Sequence, residues 1–305
     1  MKKPIHVSRK MNFCWVLLAF SLVLCLMIPA VRETLYFASR ARVLRAIDSI
    51  QLAFTEKPNS PFIFTYDWLE FNEGLIAHAG GGIDGVSYTN SREAFESNYA
   101  NGFRVFEFDF SLTSDGELVA VHDWESFGEM TGQSCQSPLS IEEFLASKIK
   151  GKYTPLSGED VIELMRCYPD VYVMTDTEDI NDSLCEALRQ FIHLAENDTS
   201  ILDRLIIQIY SRPMLFSVMQ VYPFQSVLFT MYITPVHLRD IVRFCSTWGI
   251  EAIAVPVSSA DDATIRMVLD SVSFLLVHPI TNTADIQNFR KLGVSGFYVS
   301  SSVHD

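Results

Sequence analysis

Positive charge is scarce over most of this chain. The first 45 residues hold eight Lys/Arg and one acid, which leaves 15 basic and 36 acidic side chains for residues 46–305. Sequence-independent nucleic-acid binding draws its affinity from neutralising phosphates with Lys and Arg, so no nucleic-acid partner is expected. Cysteine is sparse as well, six in 305 residues with no Cys-x-x-Cys spacing, which removes zinc-cluster readings and leaves one or two disulfides open. No Gly-x-Ser-x-Gly elbow and no His-x-x-x-His pair occurs, so serine-hydrolase and zincin chemistry lack support. Apolar content is ample: 49% hydrophobic against 20% charged residues excludes disorder as the dominant state.

One long uncharged run stands out. Residues 13–31 read FCWVLLAFSLVLCLMIPAV behind Lys2, Lys3, Arg9 and Lys10, 19 residues that suffice to span a bilayer as one helix. Met27-Ile28-Pro29-Ala30 supplies no good small-x-small cleavage site, so the run reads as an uncleaved anchor following a basic tail of residues 1–12. Arg32, Arg40, Arg42 and Arg45 nearly balance the basic residues before the run. A cytoplasmic N-terminus is favoured, which puts the rest of this single-pass membrane protein on the extracytoplasmic side. Residues 32–70 read as a linker with helical character, and residues 71–305 as one folded domain.

Within that domain, short apolar runs at 75–79, 103–110, 118–122, 171–175, 205–210, 227–232, 251–257, 274–278 and 296–300 alternate with amphipathic stretches of helical length. Asn90 with Glu93 reads as a capping box, and Pro235 as the first turn of a helix. The second and third runs are separated only by residues 111–117, too few for a parallel crossover, so they form a hairpin turning at Ser114-Asp115-Gly116. Without the returning strand, eight parallel strands remain, the number that closes a (β/α)8 TIM barrel. The predicted fold is therefore α/β, a TIM barrel preceded by one transmembrane helix, with an open doubly wound sheet as the alternative.

Functional groups of such a barrel gather at the C-terminal ends of its strands. There the sequence interrupts apolar runs with His78, with Glu107 and Asp109, with His122-Asp123 and with Asp176. A strand period of two puts Glu107 and Asp109 on one face, from which both carboxylates can hold one hard cation. If the hairpin is symmetric about Asp115, His122 falls opposite Phe108, level with the acids. Gly80-x-Gly82-x-x-Gly85 matches a dinucleotide fingerprint, but Val86-Ser87-Tyr88-Thr89 separates it from the helix that should open within it. A loop needing free backbone beside the site is the preferred reading.

Taken in order, His78-Ala79-Gly80, Asn90-Ser91-Arg92-Glu93-Ala94-Phe95, Glu107-Phe108-Asp109, Thr113-Ser114-Asp115-Gly116 and His122-Asp123 resemble the glycerophosphodiester phosphodiesterases of the phospholipase C-like phosphodiesterase superfamily. A weaker match through His278-Pro279 and Gly293–Tyr298 runs to about residue 301. The resemblance implies a barrel in which Glu107, Asp109 and Asp176 bind Ca2+ or Mg2+, and in which His78 and His122 act as acid and base on a small phosphodiester substrate. Three departures stand out: Ala79 where the family has Arg, Glu178 where it has Lys, and Ser300-Ser301 in place of Thr-Asp. With two cations gone, a cationic head group facing Glu178 becomes the expected preference, and Tyr210 and Tyr232 are the aromatics expected to line the cleft. The same departures fit a catalytically inactive, membrane-tethered binding protein that keeps the barrel.

Overall fold

The computed structural model describes residues 29–300, apart from 136, 178–181 and 235. The chain divides into two compact units, Met1–Ala53 and Phe54–Asp305. The anchor expected at residues 13–31 lies outside the described residues, except for its last three positions, which begin a helix at Pro29–Phe54. Among the described residues no helix is long and apolar enough to cross a membrane.

The second unit is built on nine strands: β1 (Leu75–Ala77), β2 (Val105–Leu112), β3 (Leu118–Ala120), β4 (Tyr172–Asp176), β5 (Leu205–Ile209), β6 (Ser226–Thr230), β7 (Ala252–Pro256), β8 (Phe274–Ile280) and β9 (Gly296–Val299). Eight run parallel, and β1 pairs with both β2 and β9, so the sheet closes into the expected barrel. The ninth, β3, pairs antiparallel with β2 through Phe110 opposite Ala120 and Leu112 opposite Leu118. That register is symmetric about residue 115, and the turn is closed by the Gly116 N–H on the Thr113 carbonyl at 3.0 Å.

Helices form where caps and apolar spacing agree. In Gly158–Cys167, the Ser157 side chain and Asp160 form a reciprocal capping box, and Val161, Ile162, Leu164 and Met165 are buried. The expected cap at Asn90 is corrected by one residue. Ser91 caps the helix Arg92–Ala100 by accepting from the Ala94 N–H, while Glu93 accepts from the Thr154 N–H at 2.7 Å and Asn90 is drawn into the site described below. Between β3 and Gly158–Cys167 the chain inserts two short helices, Trp124–Thr131 and Ile141–Ala146. They enclose a second small core containing Val121, Phe127, Phe144 and Ile149. Pro235 lies outside the described residues, and the helix near it runs from Leu238 to Trp248. Among the described residues, Cys135, Cys167, Cys185 and Cys245 form no disulfide.

The N-terminal mouth of the barrel is sealed by its own leading segment. Tyr66, Trp68 and Leu69 pack against Ile76, Val105, Met174, Ile206, Leu228, Ala252 and Leu276. Phe62 approaches the helix end at Trp248 so closely that a Cβ on Gly249, whose φ is +82°, would collide with the Phe62 carbonyl. The Tyr66 hydroxyl donates to the Val227 carbonyl and accepts from the Glu251 N–H, both at 2.9 Å. Tyr66→Phe removes both bonds at a buried position, and we expect it to lower stability by about 1–3 kcal/mol. Thermal unfolding of the purified chain checks this; an unchanged midpoint means the seal does not depend on the hydroxyl.

Candidate active site

Strand alternation builds the site. On β2, Phe106, Phe108 and Phe110 face the helices, with Phe106 against Phe95 and Phe110 against Phe191 at centroid separations of 4.4 and 4.8 Å. The intervening residues face the barrel axis: Val105 joins the interior cluster, and Glu107 and Asp109 follow it upward. The same step of two recurs around the ring. Interior Ile76, Val105, Met174, Ile206, Leu228 and Leu276 are succeeded two residues on by His78, Glu107, Asp176, Gln208, Thr230 and His278. An apolar layer thus carries a polar layer at the strand ends.

Three members of that layer converge. Asp109 pairs in register with Asp176 on the neighbouring strand, and single oxygens of Glu107, Asp109 and Asp176 lie within 4.8 Å of one another. Glu107 is 0% and Asp109 4% exposed. Each acid is held by a neutral donor. The Ala79 N–H donates to Glu107 Oε2 at 2.7 Å, Asn90 Nδ2 to Asp109 Oδ2 at 2.8 Å, and the Tyr210 hydroxyl to Asp176. Among the described residues, no Lys or Arg lines the pocket that holds Asp109 and Asp176. An all-carboxylate group suits a hard cation such as Ca2+ or Mg2+ and not a thiolate-seeking metal, so the residues present fit a divalent ion.

The backbone around these donors is unusual. Ala79 and Asn90 both take positive φ, +51° and +46°, and the Asn90 N–H donates to the Ala79 carbonyl at 3.0 Å. An alanine held in the left-handed region is strained, and here the strain aims its N–H at Glu107. Gly81 meets a different demand: a Cβ there would collide with the Asn98 amide, which donates to the carbonyls of Gly80, Gly82 and Ala94. The glycines therefore serve close packing beside the site, and the helix opens only at Arg92.

The two histidines sit in different surroundings. His78 Nδ1 is 2.8 Å from Ser300 Oγ and Nε2 is 3.8 Å from Glu107 Oε2, while Tyr88 and Tyr298 present ring edges to the imidazole. Burial, then the neighbouring His278 and His122, push its pKa down to about 3; burial alone takes His278 to about 4. His122 is half-exposed, and its Nδ1 lies 2.7 Å from Asp123 Oδ2. Burial opposes ionisation of Asp123, but the Ser126 N–H and His122 outweigh it and lower its pKa. With Nδ1–H donated to Asp123, a neutral His122 carries its lone pair on Nε2.

A pocket of about 120 Å³ is lined by His78, His122, Asp109, Asp176, Gln208 and Tyr232, among others. A wider cavity of about 540 Å³ adjoins it at Tyr88, His122 and Tyr232 and runs over Val86, Val121, Phe127, Met130 and Ile149. Tyr232 is exposed and lines both. Tyr210, expected in the cleft, is corrected: it is buried, desolvation and the adjacent Asp176 carboxylate keep its hydroxyl protonated, and that proton is given to Asp176. Glu178 lies outside the described residues. Sequence reasoning missed Tyr88, Gln208 and Tyr298 as pocket residues. Only Gln208 carried a usable signal, a lone polar residue within the apolar run Leu205–Ile209.

Fold and site together define a closed parallel barrel with an acidic group and two histidines at its strand ends. The model of the glycerophosphoryl diester phosphodiesterase family matches residues 79–202, a segment that contains Glu107, Asp109, His122 and Asp176. No curated protein matches the chain. Among solved structures, a phosphodiesterase from Oleispira antarctica in complex with its product sn-glycerol-3-phosphate is 14% identical, with 74% of this chain and 92% of that chain covered at a TM-score of 0.62. A glycerophosphoryl diester phosphodiesterase from Parabacteroides distasonis is 17% identical over 83% and 88% of the two chains at 0.58. The glycerophosphodiester phosphodiesterase of Thermotoga maritima is 16% identical over 74% and 93% at 0.57. At such identities the likeness shows the shared fold.

Asn90 supports Asp109 from outside the acid group, and partners of this kind are typically worth about 10–100-fold in metal affinity. Asn90→Gly removes the amide and tolerates the positive φ, so we expect divalent-ion binding to weaken by about that factor in calorimetric titration. Unchanged affinity would mean that Asp109 needs no support or takes no part in binding.

Proposed function

We propose that this chain is a metal-dependent phosphodiesterase acting on glycerophosphodiesters or related phospholipid-derived diesters, with His78 and His122 moving the protons. The observation that carries the reading is the convergence of Glu107, Asp109 and Asp176 in a pocket that both histidines line. Ca2+ or Mg2+ held by the three acids would polarise the phosphoryl group. The chain's own residues do the rest. His78, unprotonated near pH 7, accepts the proton of the attacking water or vicinal hydroxyl. His122 delivers a proton to the departing alkoxide, and Asp123 steadies the imidazolium form of that ring. The small pocket suits the phosphoryl group, and the wider cavity beside His122 gives room for the remainder of the substrate, with Tyr232 at their junction.

Membrane attachment through residues 13–31, with the barrel on the extracytoplasmic side, is part of the same proposal and is supported by the uncharged run and its basic flank. The rival reading, a tethered binding protein without turnover, is favoured by the lack of Lys or Arg around the small pocket among the described residues and by the buried Ala79.

A panel of glycerophosphodiesters assayed with and without EDTA separates the two. We expect metal-dependent turnover that falls by at least about 10²-fold in His78→Ala and in His122→Ala, while both variants unfold at the wild-type temperature. Full activity in either variant sinks its assigned role, and turnover that resists EDTA sinks the metal.

A further inference from the structure

Two groups of the small pocket have no part in the proposed reaction and no hydrogen-bond partner among the described residues, His278 Nε2 and the amide nitrogen of Gln208, and the second is the obligate donor. Gln208, on β5, is 2% exposed. Its Oε1 accepts from the Tyr298 hydroxyl at 2.9 Å, and its Nε2 has no hydrogen-bond partner among the described residues. Tyr298 is itself buried, and burial followed by the Glu107 and Asp176 carboxylates raises its pKa, so the hydroxyl keeps its proton, for which Gln208 Oε1 is a stronger acceptor than Met174 Sδ at 3.0 Å. With the carbonyl end occupied, the amide has two N–H donors left, and it lines the pocket beside His78, Asp109 and Asp176. Burying such donors unmet is costly, and sites that retain them commonly use them on a ligand.

The ligand oxygen these donors suit follows from the rest of the pocket. Glu107, Asp109 and Asp176 each already receive a protein donor. A phosphodiester brings two non-bridging oxygens that must be met by donors or cations, in a pocket lined by no lysine or arginine among the described residues. We infer that Gln208 Nε2 donates to a non-bridging phosphoryl oxygen of the bound diester, an inference that rests on the phosphodiesterase reading. A neutral amide in this place adds no charge to the acid group, and its hydrogen bond strengthens as negative charge builds on the oxygen in the transition state.

Two variants of the full chain test this. Gln208→Glu keeps an oxygen for Tyr298 and loses the donor, whereas Gln208→Met loses both polar atoms at similar volume. Binding of inorganic phosphate at saturating Mg2+ is measured by calorimetry, kcat and KM with a glycerophosphodiester, and Mg2+ binding by the shift in thermal unfolding. We expect phosphate to bind the wild type and to bind both variants at least about tenfold more weakly. We expect kcat to fall by about 10²–10³-fold, the usual loss for one such donor, with the Mg2+ response of Gln208→Met unchanged. Wild-type phosphate affinity in the variants, no phosphate binding by the wild type, or weaker Mg2+ binding by Gln208→Met would each overturn the assignment; the last would make the side chain a cation ligand through its oxygen. If the phosphate results come out as expected but the wild type turns over no diester, the phosphodiesterase reading fails and Gln208 stands as the donor of an anion site.

Discussion

Three carboxylates at adjoining strand ends, in a pocket that no lysine or arginine lines among the described residues, are the constraint around which the barrel is arranged. At separations of about 4 Å, each pair of ionised acids repels by roughly 4 kcal/mol at an effective dielectric of 20. A lysine among them would relieve that cost and quench the site. The chain instead fixes each acid with a neutral donor: a backbone N–H for Glu107, an amide for Asp109 and a phenol for Asp176. Neutral donors hold geometry and leave the negative charge in place, so the affinity for a hard cation persists. The positive φ at Ala79 and Asn90 follows from the same need, because both residues are bent to reach the carboxylates.

The barrel can carry this repulsion because the layer beneath is entirely conventional. Val105, Met174, Ile206, Leu228 and Leu276 fill the axis, and Tyr66 and Trp68 close it from below. Interior packing of this kind supplies most of the stability of a small domain. Moving two residues along each strand changes the role from packing to chemistry without changing direction. That geometric economy explains why the polar groups meet although they are scattered from His78 to His278 in the sequence.

Much of the fold was legible for the same reason. Period-two alternation and the short 111–117 connection were enough to identify eight parallel strands and a hairpin, because both follow from chain geometry. The hairpin's symmetry could be read as well, since Phe110 lies opposite Ala120 and Leu112 opposite Leu118, and His122, two residues beyond Ala120, lines the pocket with the acids. Interactions that depend on a side chain's third partner were not legible. Asn90 has a cap's residue type, but Ser91 takes the cap because Asp109 competes for the Asn90 amide. Tyr210 has a cleft residue's type, but an inward turn gives its hydroxyl to Asp176. The helices Trp124–Thr131 and Ile141–Ala146 are too short to show a clear period, and they are held by the small core they enclose.

The unequal surroundings of the two histidines set the direction in which protons travel in the proposed reaction. His78 is flanked by Ser300, Tyr88 and Tyr298 and stays neutral, and its side chain, 15% exposed, meets solvent through the pocket it lines. Ser300 Oγ lies 2.8 Å from Nδ1, and Ser87 Oγ donates to the Ser300 carbonyl, which ties the ring to the loop at the pocket edge. His122 has the opposite position: half-exposed, it exchanges protons with solvent directly, and Asp123 keeps Nδ1 engaged while Nε2 serves the pocket. Asp123 is itself pinned as the cap of Trp124–Thr131, so the inserted helix fixes the orientation of the ring. A partly buried imidazole held neutral and an exposed one paired with Asp123 suit the roles of base and acid in the proposed reaction, with the inserted segment orienting the solvent-facing ring.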